Sequence, residues 1–205
     1  MANGFIPKHG GYKKLLSYQK ALIVYQGTRY YVKRWFPRGS RDRDQMEQAA
    51  RSGKQNIVEG SVASATSKEM EIKLTNVARA SLEELLEDYR DRLRESGGQE
   101  WPPSHAYARR LSQLCRLPDA NYDTFKKGIE HDDPLIATNV MIGLVRVTLR
   151  LLTGQVGRQE RDFLKEGGLR ERMTRARLEE RARQEREGEG TAGTTATAGT
   201  PQNLN

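Results

Sequence analysis

Three histidines, one cysteine, two adjacent aspartates and three glycine pairs are the residues from which chemistry could be built. His9, His105 and His131 fall in a polar N-terminal stretch, at a proline boundary and in a loop. None has a carboxylate or cysteine at metal-ligand spacing, so neither a metal site nor a cofactor site is expected. Gly10-Gly11, Gly97-Gly98 and Gly167-Gly168 do not form a GxxxxGK[ST] or GxGxxG phosphate loop. Cys115 follows Leu111 and Leu114 at helical spacing, which reads as packing rather than a nucleophile. Asp132 and Asp133 precede Pro134, where carboxylates favour the positive end of a starting helix. No catalytic residue emerges, and the expectation is a protein that is not an enzyme.

The charge pattern carries more chemistry. Residues 1–40 hold eight basic side chains (Lys8, Lys13, Lys14, Lys20, Arg29, Lys33, Arg34 and Arg38) and no acid, matching the whole chain's formal net charge of +8. Tyr12, Tyr18, Tyr25, Tyr31 and Trp35 are interspersed. Cations beside flat rings suit phosphate neutralisation and base stacking; rings at helical spacing equally suit a core or a subunit interface, and the cations a solvated face. The candidate nucleic-acid contacts are Lys13, Lys14, Lys20, Arg29, Lys33 and Arg34, joined by Arg51 and Lys54, three apart on the next helix. Arg146 and Arg150, one turn apart in an apolar stretch, are expected to pair with acids such as Glu83, Glu84 and Glu87.

The elements that position these residues read as helices throughout, an all-α chain. Only 36% of the 205 residues are hydrophobic against 30% charged, so a small helical body that buries more area by self-association is the easier solution. A single cysteine excludes an intrachain disulfide and points to a reducing compartment. The N-terminus has no hydrophobic signal core and no apolar run approaches a membrane span, so a cytoplasmic protein with no membrane partner is expected.

A first helix is predicted from an N-cap at Ser17 to near Pro37, with a stripe of Leu16, Ile23, Gly27 and Tyr30. Ser40 starts a second, striped by Met46, Ala50, Gly53, Ile57 and Gly60, where small residues admit a close neighbour. Thr66 and Glu69 have capping-box spacing ahead of a third, with Thr75, Ala78, Leu82, Leu85, Tyr89 and Leu93 inward, ending at Ser96-Gly97-Gly98. Ser104 caps a short segment with Tyr107, Leu111 and Leu114; another surrounds Tyr122, Phe125 and Ile129. Asp133-Pro134 opens the most apolar helix, over 135–152. The predicted organisation is a flexible N-terminus over 1–11, an up-down four-helix bundle over 12–157 with an insertion near 97–134, a charged helical suffix over 158–187 with ten basic and eight acidic residues, and a disordered tail over 188–205.

Two segments carry a resemblance. Asn56-Ile57-Val58-Glu59-Gly60 is similar to an Asn-Ile-Ala-Glu-Gly motif, and Ala78-Arg79-Ala80-Ser81-Leu82-Glu83-Glu84-Leu85 to Ala-x-Gly-Ser-Leu-x-Glu-Leu. Over about residues 12–155 the chain resembles the four-helix-bundle family encoded within bacterial 23S ribosomal RNA intervening sequences, which includes the accessory variability proteins of diversity-generating retroelements. The resemblance implies a ring-like homopentamer with a basic surface and, for the retroelement members, binding to nucleic acid (RNA or DNA) and to a reverse transcriptase, without enzymatic activity. Gly53, Ala80, the insertion and everything after Gly157 depart from the pattern. The alternative expectation is a protein–protein adaptor that docks its partner through the charged C-terminal helix.

Overall fold

The computed structural model describes residues 11–192, with side chains described to 187. The proposed flexible N-terminus, apart from Gly11, and residues 193–205 of the proposed tail lie outside the described residues. All regular structure among the described residues is helical: a short turn Tyr12–Lys14, then α1 (Leu16–Trp35), α2 (Arg41–Ala63), α3 (Lys68–Glu95), α4 (Ala106–Cys115), α5 (Tyr122–Ile129), α6 (Pro134–Glu166) and α7 (Leu169–Ala192).

Helix starts follow local chemistry, with corrections to the predicted caps. Ser67, not Thr66, caps α3, its side chain accepting from the Met70 N–H at 3.1 Å. His105 rather than Ser104 precedes α4, its Nδ1 facing the Tyr107 N–H at 3.3 Å. Asp133 caps α6 as expected, accepting from Leu135 N–H at 2.8 Å. Ser17 is not a cap: α1 starts one residue earlier, and the buried Ser17 hydroxyl donates to Gln155 Oε1 at 2.5 Å.

Packing runs in a closed circuit: α1 lies against α2 and α6, and α3 against α2 and α6, while α4 and α5 sit on α6. The predicted inward stripes of α2 and α3 are all buried. In α1 the buried face includes Ile23 and Gly27 but is rotated from the prediction: Tyr31 is 1% exposed while Leu16 is 54% exposed. The wider face arises because α1 meets α2, α5 and α6 at once. Buried hydroxyls link the circuit. Tyr31 and Tyr89 meet edge to face at 5.1 Å, and Tyr89 donates to Thr28 Oγ1 at 3.0 Å. Thr138 donates to the Pro134 carbonyl, so at 2.6 Å from Thr138 Oγ1 the Tyr31 hydroxyl is the donor. Gln159 Nε2 donates to Thr75 Oγ1 and Glu71 Oε1, each at 3.1 Å.

Two boundaries move. α6 continues through Gly157 to Glu166, so the predicted suffix begins inside a packed helix; the break falls at Gly167, whose φ of 70° is open to glycine. Beyond it, α7 buries no side chain over 169–187 and extends helical backbone over 188–192, where disorder was predicted. An 18-residue window beginning in α6 is long and apolar enough by composition to cross a membrane, contrary to the sequence reading, and 56% of it is buried inside the molecule.

Gly53 shows why α2 needs a small residue. A Cβ there would lie 2.6 Å from Leu82 Cδ2 and 2.7 Å from Leu82 Cγ, and Leu82 is itself fully buried. Gly154, exposed on α6, would meet nothing within 4 Å. Gly154→Ala is therefore expected to stabilise by about 0.5–1 kcal/mol through helix propensity. Gly53→Ala is expected to destabilise by about 1–2 kcal/mol, because the overlap outweighs the same gain. Urea titrations of the two variants check the opposite signs.

Asp88 faces a small cavity with Asp42, Asp91, Arg92 and Glu95. Burial, reinforced by the charges of Glu84, Asp91 and Asp42, pushes its carboxyl up to about 6, and its Oδ2 has no hydrogen-bond partner. The folded chain thus holds this proton more tightly than the unfolded chain, so the contribution is fully present at low pH and is lost as pH rises through about 6. Asp88→Asn should gain on the order of 1–2 kcal/mol at pH near 8, after solvent screening, with the gain vanishing below about pH 4. Denaturation of both proteins at the two pH values measures it.

Candidate nucleic-acid interface

The predicted cations separate into three environments. Lys13 and Lys14, in the turn before α1, and Lys33, near its end, are exposed with no carboxylate within ion-pair distance among the described residues. Arg29 and Arg34 are already paired: Arg29 Nε lies 3.1 Å from Glu47 Oε1, and Arg34 Nη2 lies 2.6 Å from Asp132 Oδ1 while Nη1 donates to the Tyr30 hydroxyl at 2.9 Å. These pairs are partly exposed, so they hold the cations loosely and a phosphate can compete.

Lys20 is a correction to the predicted set. It is 3% exposed, with Nζ 5.6 Å from the Phe125 ring centroid. Burial lowers its pKa, opposed by the nearby Cys115, while burial raises that of Cys115. The reason is geometric: α5 covers this face of α1, a contact between residues about a hundred positions apart that no local pattern announces.

Around Tyr25 the structure brings predicted residues from two helices together. Lys54 Nζ on α2 lies 4.7 Å from the Tyr25 centroid, and the Arg29 guanidinium carbon 5.7 Å from it. Both cations lie over the ring, which is thus engaged within the molecule rather than offered to a base. Arg51 is exposed on α2. The other rings follow the packing reading: Tyr31 is buried, Tyr12 meets Tyr18 edge to face at 4.8 Å, and Trp35 lies under Arg34 at 5.0 Å. The cations strung along α1, about 30 Å long at helical rise, form a surface rather than a pocket.

A concavity lined by four arginines lies elsewhere. A groove of about 480 Å³ between α4 and α6 is lined by Arg109, Arg116, Arg146 and Arg150, with Glu100 its carboxylate. Arg146 and Arg150 are exposed, not buried; Arg146 pairs with Glu100, which Arg90 Nε also approaches at 3.3 Å, and not with Glu83, Glu84 or Glu87. Arg109 and Arg116 were missed in the sequence. Arg109 on α4 and Arg116, the helix-like residue that closes it, are seven apart and so share a side, a signal visible in principle, but which side turns to α6 depends on Leu111 seating against Gly143.

Among the described residues, no group of three or more His, Cys, Asp or Glu side chains could hold a metal ion. Comparisons with known proteins return no matching family model, no matching curated protein and no matching solved structure.

Lys20→Met is expected to leave polyanion affinity unchanged and to leave the fold equally or more stable at neutral pH, since a desolvated ammonium is removed. Because its folded pKa is depressed, any advantage of the variant shrinks as pH rises through that value. Thermal melts at neutral and alkaline pH, with a binding titration, check both parts.

Proposed function

We propose that this protein is a non-enzymatic, homo-oligomeric helical bundle that binds RNA or DNA through phosphates, with little sequence readout. The observation that carries the reading is an acid-free α1 and preceding turn on which Lys13, Lys14 and Lys33 stand exposed and unpaired among the described residues. Such a surface gains affinity by releasing counterions, which is indifferent to base identity.

The architecture is an up-down four-helix bundle of α1, α2, α3 and α6, a reading supported by the circuit of contacts and by Gln159, late in α6, meeting Thr75, early in α3. Self-association is supported by an apolar line left outside: Met70 and Val77, seven apart on α3, are 44% and 41% exposed, and Val62 near the same turn is 50% exposed. Pentameric assembly and service to a reverse transcriptase rest on the resemblance of Asn56-Ile57-Val58-Glu59-Gly60 and its companion motif, and a cytoplasmic setting on the single cysteine, Cys115.

A second reading, an adaptor, is favoured by α7. This helix is solvated over 169–187, braced by Arg183–Glu180 at 2.7 Å, and leaves Leu178 59% exposed, an unpartnered arm of the kind that docks another protein. Its docking element starts at Leu169, because 158–166 belong to packed α6.

Fluorescence anisotropy against duplex DNA across a salt series tests the leading reading. If about six phosphates are neutralised, the log–log slope approaches about −5. A chain ending at Glu166 should keep that affinity. A flat salt response, or no binding at low salt, overturns the reading; affinity lost with α7 transfers the case to the adaptor.

A further inference from the structure

We infer that the groove between α4 and α6 is the track for a single-stranded nucleic-acid segment, with its phosphates on Arg109, Arg116, Arg146 and Arg150 and a base placed beside Tyr107 and Trp101. The inference rests on the nucleic-acid reading above and names a binding site that the α1 cations do not supply. Three features of the groove carry it.

The first is charge. Four guanidinium groups line one concavity, two from each wall, against the single carboxylate of Glu100. That carboxylate is engaged by Arg146 and approached by Arg90, whereas Arg109, Arg116 and Arg150 have no carboxylate within ion-pair distance among the described residues. Like charges collected without counter-charges repel one another, and a bound polyanion relieves that cost. Arginine's planar fork suits phosphate oxygens in pairs. The spacings are those of a track: Arg109 on α4 and Arg116, the αR residue just after it, are about 10 Å apart at helical rise, Arg146 and Arg150 about 6 Å apart along α6, so successive phosphates rather than one are addressed.

The second is the rings at the end of the groove. Trp101 lines it and also lines an adjoining cavity of about 490 Å³, shared with Tyr107, Leu114 and Phe125, where Arg110 and Lys127 outnumber the one carboxylate, Asp123. His105 stacks on Trp101 at 4.9 Å with 11° between the planes, which holds the indole in place and covers one of its faces. Tyr107, 5.4 Å from Trp101 and 55% exposed, is the ring left open. A phosphate track beside an exposed ring is how unpaired strands are held, because only an unstacked base presents its face. An acidic peptide would satisfy the arginines and leave the rings unused.

The third is rigidity. Asn139 holds the loop that carries Trp101, its Oδ1 accepting from the Trp101 N–H at 2.8 Å and its Nδ2 donating to the Gln99 carbonyl at 3.1 Å. Leu111 packs where Gly143 leaves room, setting α4 against α6. The walls are thus fixed before any ligand arrives.

The test uses the full chain and fluorescein-labelled oligo-dT and oligo-U of about twelve nucleotides, within the length one such site spans. The groove variant combines Arg109→Glu, Arg116→Glu and Arg150→Glu, all exposed positions, with unchanged circular dichroism melts as the check on folding; the comparison variant reverses three exposed cations late in α6, Arg158→Glu, Arg161→Glu and Lys165→Glu. The expected result is a loss of about 100-fold or more in single-strand affinity for the groove variant and a loss of less than about 10-fold for the comparison variant. In a Trp35→Phe background, in which Trp101 is the remaining tryptophan, emission should be quenched saturably by oligo-dT, and Tyr107→Ala should weaken binding by about 10-fold. If the parent protein binds single strands and the groove variant keeps its affinity, or Trp101 emission does not respond, the groove assignment is wrong while the nucleic-acid reading survives. If the parent protein binds no nucleic acid at low salt, that reading falls and takes the groove with it. Equal displacement of oligo-dT and of polyglutamate from the groove would assign it to acidic peptides and overturn the proposal.

Discussion

Buried hydroxyls have to find partners, and in this protein that requirement governs how the long helices stand against one another. Tyr31 and Tyr89 are both fully enclosed, so each phenol needs an acceptor inside the body. They find Thr138 on α6 and Thr28 on α1, and these two bonds with the edge-to-face ring contact tie α1, α3 and α6 at one level. A slide of any of the three by one turn would strand a hydroxyl at a cost of about 1–3 kcal/mol. Gln155 with Ser17, and Gln159 with Thr75, repeat the device near the other end of α6. Apolar packing alone tolerates neighbouring registers; these polar bonds discriminate between them.

The register so fixed determines which cations are available. With α1 held against α6, α5 closes over Lys20 and turns it from a surface charge into a buried, pKa-lowered amine. The same placement leaves Lys13, Lys14 and Lys33 in solvent and brings Arg29 to Glu47 and Arg34 to Asp132. On the far side of α6, Gly143 accepts Leu111 and thereby carries α4 into place, so the arginine groove exists because a glycine in an apolar helix admits a leucine from the insertion. Core and groove are joined at α6, whose one face makes the core and whose other face makes a wall of the groove.

Much of the helical plan was legible from residue order. The α2 and α3 stripes appear in the structure because three- and four-residue spacings of Ala, Gly, Ile and Leu leave one solution for a helix with a single buried face. Asp133-Pro134 and Ser96-Gly97-Gly98 mark boundaries through backbone chemistry that needs no tertiary context. Errors fell where such local signals competed or were missing. Thr66 and Ser67 are both competent caps, and the second won. Helix α6 shows no compositional break at Gly157 that would stop it, since the buried Gln159 is polar yet bonded across to α3.

The site was legible only in part. An acid-free opening segment can be counted in the sequence, because charge is a property of residues. Exposure is not: whether Lys20 reaches solvent, whether Arg146 pairs with Glu100 or with the acids of α3, and whether Arg109 faces Arg150 across a groove all depend on contacts between distant segments. By itself the sequence determined an all-helical chain, its main helix boundaries and a basic excess, since these follow from periodicity, capping and composition acting over a few residues. The tertiary structure alone decided which cations are buried, which are paired and which converge, because solvation and ion pairing are set by what packs alongside a side chain, and that neighbour is chosen by the fold as a whole.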